Sequence, residues 1–270
     1  MTDWLEVGRG IRADIGAVLD ELPTRFERET VVGEGEGGDE TTAVDAAAER
    51  AVVARLEALH ATGTEFSLVS EELGERSFGA QTPLLVLDPI DGSMNAKRGV
   101  PFFSVSLAVA DGPTMADVFF GYVFDFGTGE EWVAHRGGGA YLDGELLTGP
   151  GPKEDVEILS FEATRTDSIA AQIGDMLGFA PRTRVMGSLA LTLCHLAAGR
   201  VDAVCSLKAA RSVDIAAAQL LVRERDLAID LPDRAPFAEA PLDVSPHSRV
   251  VSAATTELCA ELYERLSQRP

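Results

Sequence analysis

Apolar residues recur every three or four positions at the start of the chain: Trp4, Val7, Ile11, Ile15, Val18 and Leu22. That spacing places them on one stripe and predicts an amphipathic helix over residues 3–22. A Gly/Glu-rich stretch, VVGEGEGGDE, interrupts the pattern. The segment TTAVDAAAERAVVARLEAL then predicts a second helix, opened by Thr-x-x-Asp. Beyond it the pattern changes to short apolar runs: EFSLVS, TPLLVLDP, FFSVSLAVA, MADVFFGYVFDF and EEWVAHR. These runs are rich in β-branched and aromatic residues and read as strands. Apart from the short segment DGSMNAKRG they are joined by turns, so a mostly antiparallel sheet packed on the first two helices is expected.

Around LLTGPGPKED the chain turns Gly/Pro-rich, and a boundary is expected there. Residues 1–150 would form the helix pair and antiparallel sheet. Residues 151–270 would form an α/β part, because strands and helices now alternate. The expected order is strand VEILSFEA, helix 167–178, strand RTRVMG and helix SLALTLCHLAAG stopped by Gly199. Strand VDAVCSL, helix 213–225, strand RVVSAA and a helix from about Thr255 follow.

Charge changes the picture more than size does. The net charge is −21, and only Lys97, Lys153 and Lys208 are lysines among 23 basic residues. An acidic surface nearly free of lysine suits a protein that stays soluble in very high salt, where self-repulsion is screened. An ordinary acidic cytoplasmic enzyme is the plainer alternative. No basic patch exists to neutralise a nucleic-acid backbone, so nucleic acid is not expected as a partner. The longest apolar run, VPFFSVSLAVA, is about half the roughly 20 residues of a membrane helix. The start of the chain has an early acid and no signal-peptide core, so a cytoplasmic location is expected. Cys194, Cys205 and Cys259 show no ligand spacing and read as buried free thiols. His135 and His195 have no spaced partner and read as structural. RGGGAYLDG lacks the Lys-Ser/Thr of a phosphate loop and reads as a hairpin turn.

Candidate chemistry centres on LDPIDGSMN. Asp88 and Asp91 follow the strand run LLVL, and Glu71 and Glu72 follow FSLVS. If those strands are neighbours and point the same way, three carboxylates meet at one sheet edge. Asp214, opening DIAAAQLLVRE, could close the cluster from the second part. Converging carboxylates raise their own pKa values or hold a hard cation, and oxygen donors without histidine or thiolate point to a magnesium-like ion. The Ile90 carbonyl could add another oxygen. Gly92 and Ser93 start a helical segment whose N–H groups could cradle a phosphate. Taken singly, each piece has a plain reading: an Asx turn for Asp-Pro-Ile-Asp-Gly, a solvated loop for Glu71-Glu72, an N-cap for Asp214.

Together, VSEELGE, LDPIDGSMNAKRGVPFFSVSLAV and RSVDIAAAQLLVRE resemble the three signatures of the inositol monophosphatase superfamily, most closely its archaeal inositol monophosphatase/fructose-1,6-bisphosphatase branch. The resemblance implies an α+β, α/β fold, a layered α-β-α-β-α sandwich of the sugar phosphatase type. It implies a Mg2+-dependent hydrolase, inhibited by Li+, that forms a homodimer. Glu71, Asp88, the Ile90 carbonyl, Asp91 and Asp214 would hold two or three magnesium ions. Gly92 and Ser93 would bind phosphate, and Glu71 and Ser93 would act on the attacking water. Asp39, in the glycine-rich loop, would complete a third metal's water shell, and Asp45 is either a supporting partner or a helix-face acid. The substrate would be a small sugar or polyol phosphate. Inositol-preferring relatives carry a glutamate where this chain has Leu207. Lys208 and Arg211 nearby suit a second phosphate, as in fructose 1,6-bisphosphate. Ser188 is a ligand contact by resemblance or an N-cap, and Arg165 and Arg184 are further candidates. Two rival readings are a 3′-phosphoadenosine phosphate-type nucleotide phosphatase and a non-catalytic interaction protein on the same fold. Compact length argues against the first and the full carboxylate set against the second.

Overall fold

The structure, a computed structural model, describes residues 2–34, 40–162, 165–234 and 236–267. The opening stripe becomes α1 (Trp4–Glu21), capped by Asp3, which accepts from the N–H groups of Leu5 and Glu6. A one-turn α2 (Arg25–Arg28) and the paired strands β1 (Val31–Glu34) and β2 (Glu40–Thr42) lead to α3 (Ala43–Ala61). The Thr-x-x-Asp signature closes there: Asp45 Oδ2 accepts from the Thr42 N–H at 3.2 Å and its hydroxyl at 2.5 Å.

One sheet runs in the order β3 (Phe66–Ser70), β4 (Gly74–Asp91), β5 (Ser104–Ala110), β6 (Val118–Asp125), β7 (Glu131–His135), β8 (Gly139–Leu142), β9 (Glu145–Leu146). The short α4 (Ser93–Arg98) lies between β4 and β5. From β4 onward the pairs are antiparallel, as the short turns predict. β3 differs because both arms of β4 flank it. Ser70 pairs with Gly74 on an antiparallel arm and with Leu87 on a parallel one. The first arm, GERSFGAQ, holds one large apolar residue, so its strand character is invisible in the pattern. RGGGAYLDG is the expected hairpin, with β8 leaving its turn.

The second half gives β10 (Ile158–Glu162), α5 (Thr166–Gln172), β11 (Arg182–Arg184), α6 (Leu189–Ala197), β12 (Ala203–Ser206), α7 (Ser212–Arg223), β13 (Ala228–Asp230), β14 (Val251–Ala253) and α8 (Thr256–Ser267). Its sheet order is β11-β10-β12-β14-β13. The helix expected over 167–178 ends at Gln172 and tightens into a 3₁₀ turn over Ile173–Met176, where Gly174 weakens the α form.

Three apolar layers explain the sandwich. Ile11 and Ile15 of α1 and Val52 and Leu56 of α3 pack on Leu85, Leu87 and Leu107. The opposite face of the same strands, through Val86, Ala108 and Val123, packs on α6 and α7, which in turn cover Val204 of the second sheet. Leu159, Phe161 and Cys205 face α8 on the far side. TPLLVL reads as a continuous apolar run because both of its faces are covered. α6 is buried nearly all round because a sheet lies on each side. α7 approaches β6 closely at Gly121, where a Cβ would stand 2.6 Å from the Ala217 carbonyl oxygen. The layered sandwich is the one expected, and the three cysteines are buried and free.

Candidate active site

The parallel register of β3 and the second arm of β4 decides where the carboxylates emerge. Ser70 lies beside Leu87, and the Glu71 N–H donates to the Leu87 carbonyl at 3.3 Å. Glu71 and Asp88 therefore leave the sheet side by side. Asp88 is 2% exposed and accepts from the Ile90 N–H at 2.9 Å, which shapes the Asp-Pro-Ile-Asp turn. Ser93 donates to the Ile90 carbonyl at 3.0 Å. Gly92 has φ 95° and is walled in: a Cβ there would lie 3.0 Å from the Gly187 carbonyl oxygen. Only glycine allows that turn at that distance.

Asp91 is held from the other half of the molecule. Its Oδ2 accepts from the Ser188 hydroxyl and, at 2.8 Å, from the Ala190 N–H at the start of α6. Ser188 itself is 1% exposed and caps α6 by accepting from the Leu191 N–H. Glu162, a residue the sequence reading passed over, fixes the turn before α6. It accepts from the Gly187 N–H at 3.0 Å and from the Thr192 hydroxyl at 2.6 Å. Asp214 enters from α7 as the third residue of the helix rather than its cap. The cap is Arg211, whose N–H donates to Asp214 Oδ2 at 2.8 Å.

These groups surround one cavity of about 430 Å³. Its wall includes Glu71, Asp88, Asp91, Asp214, Ser93 and Lys208. Ile90, Gly92 and Arg211 also line it, as do Asp45, Lys97 and Glu162. Two of the chain's three lysines thus meet at this cavity. Arg211 points into the carboxylates: Nη2 lies 2.6 Å from Glu71 Oε1 and 2.9 Å from Asp214 Oδ1. Asp39 lies outside the described residues. Arg165 pairs with Asp167 on the surface, and Arg184 lines a different hollow.

Electrostatics fit an oxygen-loving cation. Burial first, then the charges of Glu71 and Asp91, push Asp88 well above the usual carboxylate range. Burial pushes Asp91 up to about 7, against the Ser188 hydrogen bond. Burial raises Glu71 as well, with Arg211 opposing. Burial works against a charged Arg211, yet Asp214 and Glu71 hold its pKa above the ordinary value. Asp45, 6% exposed, keeps Oδ1 without a hydrogen-bond partner. Four carboxyl groups outnumber the one guanidinium, and their raised pKa values mark negative charge that a bound cation would stabilise. The donors are all oxygen, which suits a hard divalent ion. A second grouping, Asp125, Glu130 and His195, brings ligand atoms within 4.8 Å of one another. Glu130 there is already bound by both Nη atoms of Arg200, at 2.6 and 2.7 Å.

Fold and site define a layered α/β sandwich with an acidic, oxygen-only cluster at the edge of its larger sheet. The chain belongs to the inositol monophosphatase family, whose profile matches residues 2–267. It is 30% identical to the fructose-1,6-bisphosphatase/inositol-1-monophosphatase of Methanothermobacter thermautotrophicus, over 97% of this chain and 96% of that one. It is 32% identical to the protein of the same name from Archaeoglobus fulgidus, over 83% and 82%. A crystal structure of an inositol monophosphatase–fructose 1,6-bisphosphatase superposes with a TM-score of 0.83 at 25% identity, covering 98% of this chain and all of that one.

Proposed function

We propose that this chain is a Mg2+-dependent phosphomonoesterase that hydrolyses fructose 1,6-bisphosphate and inositol 1-phosphate. The observation that carries the reading is the convergence of Glu71, Asp88, Asp91 and Asp214, with Ile90 and Ser93, on one cavity. Those four carboxylates and the Ile90 carbonyl would hold two or three magnesium ions, with Li+ as inhibitor. Bound there, the ions would lower the pKa of a coordinated water and offset charge on the leaving oxygen. The chain's own groups do the positioning. Gly92 and Ser93 offer N–H groups to the phosphate. Glu71 and the Ser93 hydroxyl orient the attacking water, with Asp39 assisting. Water attacks phosphorus in line, with no phosphoryl-enzyme intermediate.

Lys208 supports a substrate with a second anionic group. It is exposed on the cavity wall, and no described acid pairs with it. Arg211 is assigned the same role only in part, because its guanidinium already serves Glu71 and Asp214. Ser188 would reach substrate only by giving up Asp91. The division at residue 150 separates a part holding most metal ligands from a part supplying Asp214. A cytoplasmic homodimer working in high salt, with a gluconeogenic role, completes the proposal. No helix among the described residues is long and apolar enough to cross a membrane. The test is phosphate release from both substrates side by side, in molar KCl with magnesium. Preference for the bisphosphate supports Lys208 as a second-phosphate contact. Preference for inositol phosphate overturns that assignment, and release from neither overturns the function.

A further inference from the structure

Among the described side chains, Arg211 is the one cation hydrogen-bonded to the carboxylate cluster, and its placement is enforced by the helix it caps. The Arg211 N–H donates to Asp214 Oδ2 at 2.8 Å, so the guanidinium folds back over the acid three residues on. Nη2 then reaches both Asp214 Oδ1 at 2.9 Å and Glu71 Oε1 at 2.6 Å, joining α7 to the end of β3. The side chains are nearly closed off, 12% exposed for Arg211, 15% for Glu71 and 10% for Asp214. A guanidinium does not lose its proton at any working pH, so this positive charge is permanent.

We propose that Arg211 is an internal counter-ion that competes with the divalent metal for Glu71 and Asp214. Without metal it holds the two acids together across the cleft and offsets their repulsion with Asp88. When a metal takes the same carboxylates, the guanidinium either swings away, losing three hydrogen bonds, or stays and repels the ion at short range. Both routes lower metal affinity, so the residue keeps the site shaped when empty and its metal exchangeable. This inference rests on the reading of the cluster as a metal site.

The test uses the full chain, stripped of metal, with MgCl2 as the probe. Calorimetric titration and thermal melts are run on wild type, R211M and R211K in molar KCl. R211M should bind Mg2+ on the order of tenfold more tightly, the effect of removing one nearby charge in a semi-buried site. Its metal-free melting temperature should fall, and its rise on adding Mg2+ should exceed that of wild type. R211K should lie between. Equal or weaker Mg2+ binding by R211M overturns the inference, as does a melting temperature lowered equally with and without Mg2+. Wild type that takes up no Mg2+ overturns the metal reading itself, and this inference with it. If R211M does not fold, R211Q carries the same comparison.

Discussion

Ser188 donates its hydroxyl proton to Asp91 across 97 positions of sequence, tying the first turn of α6 to the acid that ends β4. Asp91 therefore points where the second half of the molecule tells it to point. Glu162 extends the chain of command by holding the Gly187 N–H and the Thr192 hydroxyl on either side of Ser188.

Replacing Ser188 with Ala removes one of two donors from a buried carboxylate. A hydrogen bond to a charged group contributes about 2 kcal/mol. Ser188→Ala should lose stability of that order in denaturant melts and bind Mg2+ more weakly by calorimetry. Unchanged Mg2+ affinity would show that the Ala190 N–H alone orients Asp91.

Buried acids give the metal-free protein a definite pH response. Glu49 accepts from the Ser70 hydroxyl at 2.8 Å, keeps Oε1 unpartnered, and is pushed up to about 7 by burial, against that hydrogen bond. The folded state then holds a proton that the unfolded state releases from about pH 4.5 upward. The contribution is complete below the unfolded pKa and is lost as pH rises through about 7. Metal-free protein should be less stable at pH 8 than at pH 5.5. Glu49→Gln should flatten part of that fall, and an unaltered slope would show that Glu49 takes up no proton on folding.

Substrate choice should separate at the lysines. Lys208→Ala should raise KM for fructose 1,6-bisphosphate about tenfold or more, the loss of a charge-assisted contact, and change KM for inositol 1-phosphate little. Equal effects on both would place Lys208 near the scissile phosphate. Lys97, on the same cavity wall, is the control: its loss should act on both substrates if it faces the phosphate held by Gly92 and Ser93.

Much of this site was legible because local order and tertiary placement agree. The run LLVL followed by Asp-Pro-Ile-Asp-Gly-Ser fixes a strand end, a turn and a helix start within ten residues. Glu71 was legible too, since a strand ending in acids needs only a parallel neighbour, which β4 supplies. Long-range support was not. Nothing in VEILSFEA marks Glu162 as the post beneath α6, because its partners Gly187 and Thr192 lie 25 and 30 positions away. The charge of Arg211 alone suggests a substrate contact. Its direction is set by the capping geometry of α7, which one residue of uncertainty in the helix start conceals. The antiparallel arm of β4 was missed for want of apolar residues. It lies at the sheet's edge, where polar side chains meet water.

As proposed, the four-carboxylate cluster would be a metal-dependent phosphatase centre. The most direct measurement is phosphate release from fructose 1,6-bisphosphate by wild type and Asp91→Asn, each with MgCl2 and with EDTA, alongside thermal melts. Release that needs Mg2+, and that vanishes in Asp91→Asn while the metal-free fold melts no lower than wild type, is the predicted result. Release that persists in EDTA, or a fully active Asp91→Asn protein, would contradict it.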